Sequence, residues 1–210
     1  HGNAHGVVDG RKNTQYGQDH QFEKINQYED FVRHNPIHEY EDLATYIQHV
    51  KEGKKNVLWP GSPIYLAKTS GTTSGAKYIP ISRESMPFHI SAARNALLCY
   101  IATSGNAAFV DGKMIFLQGS PILDYLDSGI AVGRLSGIVA NHVPQYLQKN
   151  RLPKFETNCI EDWETKVDAI VQETLPHDMR LISGIPSWVQ MYFEKLIAQT
   201  QKQMEKAAKE

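Results

Sequence analysis

One stretch of the chain has the residue types and the spacing to bind phosphate groups. Between Lys68 and Lys77 every residue is small or carries a hydroxyl, and two glycines interrupt the run. Glycine lets the backbone approach an anion closely, and hydroxyl and backbone N–H groups donate hydrogen bonds to it. Lys77 is the candidate catalytic residue, because an oriented cation stabilises the charge that develops on transferring phosphates. The candidate phosphate-binding residues are Thr69, Ser70, Gly71, Thr72, Thr73, Ser74, Gly75 and Lys77.

Two short extended segments must position this loop. The apolar residues 64–67 predict a strand before it, and residues 78–81 predict a second one after it. The loop is not a Walker A sequence, since only three residues separate Gly71 from Gly75 and Ala76 precedes the lysine. An ordinary turn or linker is the alternative interpretation of the same residues.

The loop resembles the phosphate loop of the adenylate-forming superfamily, which includes acyl-CoA synthetases and luciferase-like ligases and has the signature Ser-Gly-Thr-Thr-Gly-x-x-Lys. The additional Ser74 before the second glycine is similar to one branch, the auxin-responsive-promoter family of acyl acid amido synthetases. Residues 36–43 and 184–188 also resemble that branch, and the resemblance extends over residues 16–197.

This resemblance implies an α/β fold in which a sheet is flanked by helices. Residues 14–210 would form the N-terminal, incomplete part of the large domain of an adenylate-forming enzyme, and residues 1–13 a disordered terminus or an expression remnant. The implied function is that of an ATP-dependent ligase, which uses ATP and Mg²⁺ to activate a small carboxylic acid as an acyl-adenylate. The acyl group then passes to an amine or an amino acid.

The family's other two nucleotide motifs are of the Tyr-x-x-Ser-Glu and Tyr-Arg-x-Gly-Asp types, and neither has a match before Glu210. We therefore expect an N-terminal fragment whose partner is the missing C-terminal part of the same enzyme, and which is inactive alone. The alternative is a non-enzymatic nucleotide- or anion-binding module that retains only the loop, or a scaffold domain with an empty loop.

Arg94 is the candidate substrate-binding residue. Apolar side chains at helical spacing predict an amphipathic helix over residues 86–101, ending near Gly105, and Arg94 falls inside the apolar sector. An arginine in that position needs an anionic partner or must extend its head group to solvent. A substrate carboxylate and solvent are both open interpretations.

The composition bears on three further functions: nucleic-acid binding, membrane insertion and metal binding. The net charge of −1 gives no electrostatic case for nucleic acid, and no apolar run is long enough to span a membrane. Cys99 and Cys159 lack metal-ligand spacing, and we expect them to be small buried side chains in a reducing, cytoplasmic compartment. Asp124 and Asp127 could hold Mg²⁺, but a turn or helix start explains them more simply, so no protein metal site is predicted.

The remaining elements follow from periodicity. Helical spacing covers residues 14–36, 40–52, 139–150 and 160–175, the last with a capping box at Asn158 and Glu161, and a final helix begins at Pro186. Residues 113–118 predict a strand buried on both faces, and residues 179–182 a further strand. The small residues between positions 127 and 137 predict either a flexible connection or, by the resemblance, part of an acyl pocket.

Overall fold

The computed structural model of the protein describes residues 8–69, 75–143 and 148–208. The chain divides into two compact units. The first comprises His1–Phe88 with Leu123–Leu135, and the second comprises His89–Ile122 with Ser136–Glu210. Each unit contains one β-sheet flanked by helices, so the predicted α/β fold class is confirmed.

The N-terminal segment is a series of short elements. Helix α1 (Gln15–Asp19), a 3₁₀ turn (Phe22–Lys24) and helix α2 (Tyr28–His34) occupy the region where helical spacing extends over residues 14–36. Gln21 interrupts the helical path because its φ is +51°. Val8 is buried with the side chains of the 3₁₀ turn, whereas residues 1–7 lie outside the described part, so the boundary at residue 13 stays a prediction.

The predicted helix over residues 40–52 is confirmed. A 3₁₀ turn (Glu41–Leu43) leads into helix α3 (Ala44–Lys51), which buries Ile47 and Val50. Gly53 ends it at a φ of +85°, a conformation that costs glycine little because it has no Cβ.

A four-stranded sheet forms the centre of the first unit. Its strands are β1 (Tyr65–Lys68), β2 (Tyr78–Ile81), β4 (Asp124–Tyr125) and β5 (Ala131–Gly133), in the order β2-β1-β5-β4. Strand β1 pairs antiparallel with β2 and parallel with β5. The strands predicted on both sides of the candidate loop are therefore confirmed as a hairpin.

The small-residue region between positions 127 and 137 is not simply a connection. It contains strand β5, and helix α5 (Leu135–Ala140) begins within it. The sequence did not indicate this strand, because Gly129 and Gly133 flank only a three-residue apolar run, which is too short for an alternating pattern to show.

The second unit contains a parallel sheet. Strand β3 (Lys113–Phe116) lies between β6 (Arg151–Leu152) and β7 (Met179–Ser183). Its central position buries Met114 and Ile115 on opposite faces. The predicted strands at 113–118 and 179–182 are confirmed.

Two helices cover this sheet, α7 (Trp163–Thr174) and α8 (Pro186–Ala207). Trp163 stacks on Trp188 with ring centroids 4.0 Å apart, and the hydroxyls of Thr174 and Tyr192 lie 2.9 Å apart. The buried core that they share with the sheet consists of Ile115, Leu117, Val167, Ile170, Val171 and Tyr192.

One helix prediction in this unit stays a prediction and one is wrong. Helix α5 ends at Ala140 and Gln148 is helical, whereas residues 144–147, in the middle of the helix predicted over residues 139–150, lie outside the described residues. Asn158 does not begin a helix but ends the short helix α6 (Phe155–Asn158). The cap of α7 is Asp162, whose Oδ1 accepts a hydrogen bond of 2.9 Å from Thr165 N. A carboxylate adjacent to the first turn satisfies these N–H groups more directly than the predicted capping box.

Candidate functional site

The candidate loop connects the two strands of the β1–β2 hairpin. Its central residues Ser70, Gly71, Thr72, Thr73 and Ser74 lie outside the described residues, so their predicted role stays a prediction.

The two ends of the loop are joined by one backbone hydrogen bond. The Thr69 N–H donates to the Lys77 carbonyl at 2.9 Å, directly beyond the Lys68–Tyr78 register pair. Gly75 has a φ of +83°, which a residue with a side chain rarely adopts. The bond keeps Thr69 and Lys77 together at the base of the loop.

The side chain of Lys77 forms a surface ion pair. Its Nζ lies 2.9 Å from Glu41 Oε1 and 4.9 Å from the centre of the Tyr40 ring. The hydrogen bond from Lys77 is the main cause that lowers the pKa of the Glu41 carboxyl group below its ordinary value. Both side chains are in contact with solvent, at 34% and 58% exposure, so the carboxylate is an exchangeable partner of this ammonium group.

The segment around the 3₁₀ turn holds this acid beside the loop. The Tyr40 hydroxyl accepts a hydrogen bond of 2.8 Å from Tyr78 N, which fixes the segment to the first residue of β2. Lys51, in the last turn of α3, lies with its Nζ 4.7 Å from the centre of the Tyr78 ring. Two lysines, Lys51 and Lys77, therefore lie near the base of the loop, and Glu41 is the acid paired with Lys77.

The pairing of β1 with β5 places a further cation, Arg134, near the loop. Ala67 is in register with Gly133 in the parallel pair of β1 and β5. The next residues, Lys68 at the end of β1 and Arg134 directly after β5, therefore lie at the same end of the two strands. Both side chains are exposed. Arg134 and the loop thus share one edge of the first sheet.

Arg94 lies on helix α4 (Met86–Ser104), which ends before Gly105 as the sequence predicts. The predicted apolar stripe is partly buried: Met86 is buried, Ile90, Leu97 and Ile101 are half-buried, and Ala93 is exposed. Arg94 is also exposed, with Nη2 3.5 Å from Asn95 Oδ1. Its role toward a substrate carboxylate stays a prediction.

Residues 5–208 match the family model described as the GH3 family N-terminal domain. The chain belongs to the GH3 family. The resemblance to the auxin-responsive-promoter family of acyl acid amido synthetases is thereby confirmed. No curated protein matches the chain.

Two solved structures show the same fold as this GH3 chain. One is described as "GH3.15 acyl acid amido synthetase", with a TM-score of 0.62 and 16% identity over 79% of this chain. Another, "AtGH3.15 acyl acid amido synthetase in complex with 2,4-DB", has a TM-score of 0.59 and 18% identity over 79% of this chain. The GH3 chain spans 29% and 30% of the lengths of these two proteins.

Sequence reasoning missed three residues around the loop of this GH3 chain: Tyr40, Glu41 and Arg134. The first two lie within residues 36–43, which carried the resemblance, but no pattern indicated that this segment contacts the loop. Arg134 could have been found only with strand β5 and its parallel pairing to β1.

Other chemistry has no support in the described residues. Within residues 8–69, 75–143 and 148–208 no group of three or more His, Cys, Asp or Glu side chains could hold a metal ion, and Asp124 and Asp127 are exposed. Cys99 is exposed on α4, so the expectation that it is buried is wrong, and Cys159 is half-buried. No helix in the described part is both long and apolar enough to cross a membrane.

Proposed function

We propose that this chain is the phosphate-binding part of an ATP-dependent ligase that activates a small carboxylic acid as an acyl-adenylate and transfers the acyl group to an amine or amino acid. The observation that carries the proposal is the position of Lys77. It stands at the closed base of a hydroxyl- and glycine-rich loop and is paired only at the surface with Glu41. Membership of the GH3 family supports the ligase class.

The role of Lys77 is electrostatic. Carboxylate attack on the α-phosphorus releases pyrophosphate, so negative charge must be stabilised on the departing phosphates. The ammonium group would leave Glu41 and bind these oxygens, an exchange in which one surface charge pair replaces another. The Thr69 N–H is already bonded to the Lys77 carbonyl, so Thr69 would contribute its hydroxyl.

ATP and Mg²⁺ fit this set of residues in different ways. The loop and Lys77 provide donors and positive charge for phosphate oxygens, as ATP requires. Mg²⁺ supplies further charge neutralisation of the phosphates. Arg94 would bind the carboxylate of the acid.

A non-enzymatic anion-binding module is the second candidate. It is favoured by the same loop, since Lys77 and the hydroxyls suffice to bind an anion without any transfer step.

Pyrophosphate exchange into ATP separates the two candidates. The ligase proposal expects exchange that depends on an added carboxylic acid when the chain is joined to the rest of the family fold, and weak ATP binding without exchange from the 210 residues alone. ATP binding with no acid-dependent exchange in the joined protein would favour the anion-binding module. Absence of both would refute either role for the loop.

A further inference from the structure

Lys51 is a cation of the first unit that belongs to no part of the phosphate-binding loop. It is the last residue of helix α3, and its Nζ lies 4.7 Å from the centre of the Tyr78 ring. Tyr78 is the first residue of β2 and directly follows Lys77. Lys51 therefore reaches the base of the loop from a separate element of the fold.

The packing of α3 on the hairpin places Lys51 on one of its two faces. Val50, the preceding residue, is buried in one cluster with Leu66 of β1, and Tyr78 packs against the same cluster. Side chains alternate along a strand, so Lys68 lies on the same face of β1 as Leu66. Lys68 is also in register with Tyr78 in the antiparallel pair. Lys51 and Lys68 thus share one face at the loop end of the hairpin.

Neither of these two lysines forms an ion pair with an acid of the described residues, where the ion pairs involve other cations. Glu52 is adjacent to Lys51 in sequence, but its Oε2 lies 3.3 Å from Lys54 Nζ instead. A neutral aromatic ring attracts an ammonium group less strongly than a phosphate oxygen does. Lys51 can therefore exchange the Tyr78 ring for a bound phosphate without breaking an ion pair.

The helix end offers a simpler reason for a lysine at this position. A cation in the last turn of a helix is stabilised by the helix dipole. That effect requires no ligand, and it acts on Lys54, close to the same helix end, as well. Only Lys51 of the two contacts the first residue of β2, so a comparison of the two lysines separates phosphate binding from the dipole effect.

We propose that Lys51 is a second phosphate-binding cation of the loop, which leaves the Tyr78 ring when a diphosphate is bound. Lys77 contacts Glu41, whereas Lys51 lies over the ring of the next residue along the strand. Because successive side chains point to opposite faces, the two ammonium groups approach the loop from opposite sides of the hairpin. A ligand with two linked phosphoryl groups is bound by both lysines, and orthophosphate by Lys77 alone.

This assignment rests on the proposed function, since it gives the same loop a further binding residue. It adds a specificity that one lysine cannot provide, namely a preference for pyrophosphate over orthophosphate. Pyrophosphate is the group released when the carboxylate attacks the α-phosphorus, so Lys51 would bind the leaving group and slow its departure from the loop.

The test is calorimetric titration of the purified chain with pyrophosphate and with orthophosphate, in the absence of Mg²⁺. Lys51→Met should weaken pyrophosphate binding about tenfold, because a charge-assisted hydrogen bond is lost, and should change orthophosphate binding by less than about twofold. Lys54→Met is the matched control and should leave both affinities unchanged. Lys51→Arg, which keeps the charge, should retain the preference for pyrophosphate.

Circular dichroism verifies the fold of each variant, and Lys51→Gln replaces the methionine variant if that one does not fold. Three results would overturn the assignment of Lys51: an unchanged affinity for pyrophosphate, equal losses for pyrophosphate and orthophosphate, or an effect no larger than that of Lys54→Met.

Lys77→Ala in the same titrations distinguishes this assignment from the proposed function. Weaker pyrophosphate binding in the Lys77 variant alone would refute the role of Lys51 and leave that of Lys77 intact. Weaker binding in the Lys51 variant alone would refute the role of Lys77 instead. A chain that binds no pyrophosphate at all would contradict both.

Discussion

Lys77 and Arg151 are two cations beside two different sheets, and their charges are balanced in opposite ways. Lys77 is paired with the exposed carboxylate of Glu41, while Arg151 lies over the Phe116 ring and forms no ion pair with an acid of the described residues. An exposed ion pair stabilises a fold little, so its partner can be exchanged for a phosphate at small cost. A partly buried cation without an acid is itself unfavourable, so a bound anion has more to gain there.

The largest effect is expected when the Lys77 side chain is removed. Lys77→Ala should slow acid-dependent pyrophosphate exchange by about 10- to 1000-fold, the range for loss of one oriented electrostatic group. The assay requires the chain joined to the rest of the family fold. Lys55→Ala, which removes an exposed lysine of the same unit, is the matched control. An unchanged rate in the Lys77 variant would remove this residue from the mechanism.

Arg94 extends the comparison to an exposed cation on α4. If it binds the substrate carboxylate, Arg94→Ala should raise the KM for the acid by about 10- to 100-fold, since charge-assisted hydrogen bonds are lost, and should affect the KM for ATP less. Steady-state kinetics, with the acid and ATP varied separately, measures the two KM values. Equal effects on both constants, or none, would assign Arg94 to the solvent-exposed surface.

Glu41 should act as a competitor of phosphate for Lys77. Glu41→Gln removes one negative charge from the base of the loop, so pyrophosphate should bind the purified chain about two- to fivefold more tightly. Titration calorimetry measures this, with Glu52→Gln as the control because that exposed acid pairs with Lys54 instead. Weaker binding in the Glu41 variant would mean that the acid positions Lys77 for phosphate rather than competing for it.

The smallest expected effect is on the titration of Glu41 itself. Its ion pair is present above the ordinary carboxyl pKa and is lost as the pH falls through the lowered value, so the pairing persists through the whole neutral range. Lys77→Ala should raise the pKa of Glu41 toward its ordinary value, as followed by the NMR shift of the side-chain carboxyl carbon. The pKa of Glu52, which is lowered mainly by a hydrogen bond from Gln48, should not move.

The sequence predicted the parts of the fold that depend on local pattern. The strands around the loop and the central strand β3 have continuous apolar runs, and α3 ends at a glycine, so each was recognisable. Prediction failed at the start of α7. The capping box was placed at Asn158, but Asn158 ends α6, and Asp162 is the residue whose side chain caps α7.

The candidate site was predictable only in part for a different reason. Lys77 is recognisable from the loop, but its partner Glu41 is 36 positions away in sequence and is brought to it by the Tyr40–Tyr78 hydrogen bond. Arg151 belongs to no motif, and its significance depends on burial and on the absence of an ion-pair partner among the described residues. Such properties exist only once the second sheet has formed.

The hydrogen bond between Thr69 and Lys77 affects how the loop sequence between these two residues can change during evolution. A bond that joins the two ends of a loop separates the folding of the hairpin from the composition of the segment between them. Insertions and substitutions in that segment, except at Gly75 with its positive φ, would then be limited mainly by what the loop binds. The hairpin would thus keep its fold while the loop acquires a different anion specificity, either in evolution or by replacement of residues 70–76 with the loop of another nucleotide-binding protein.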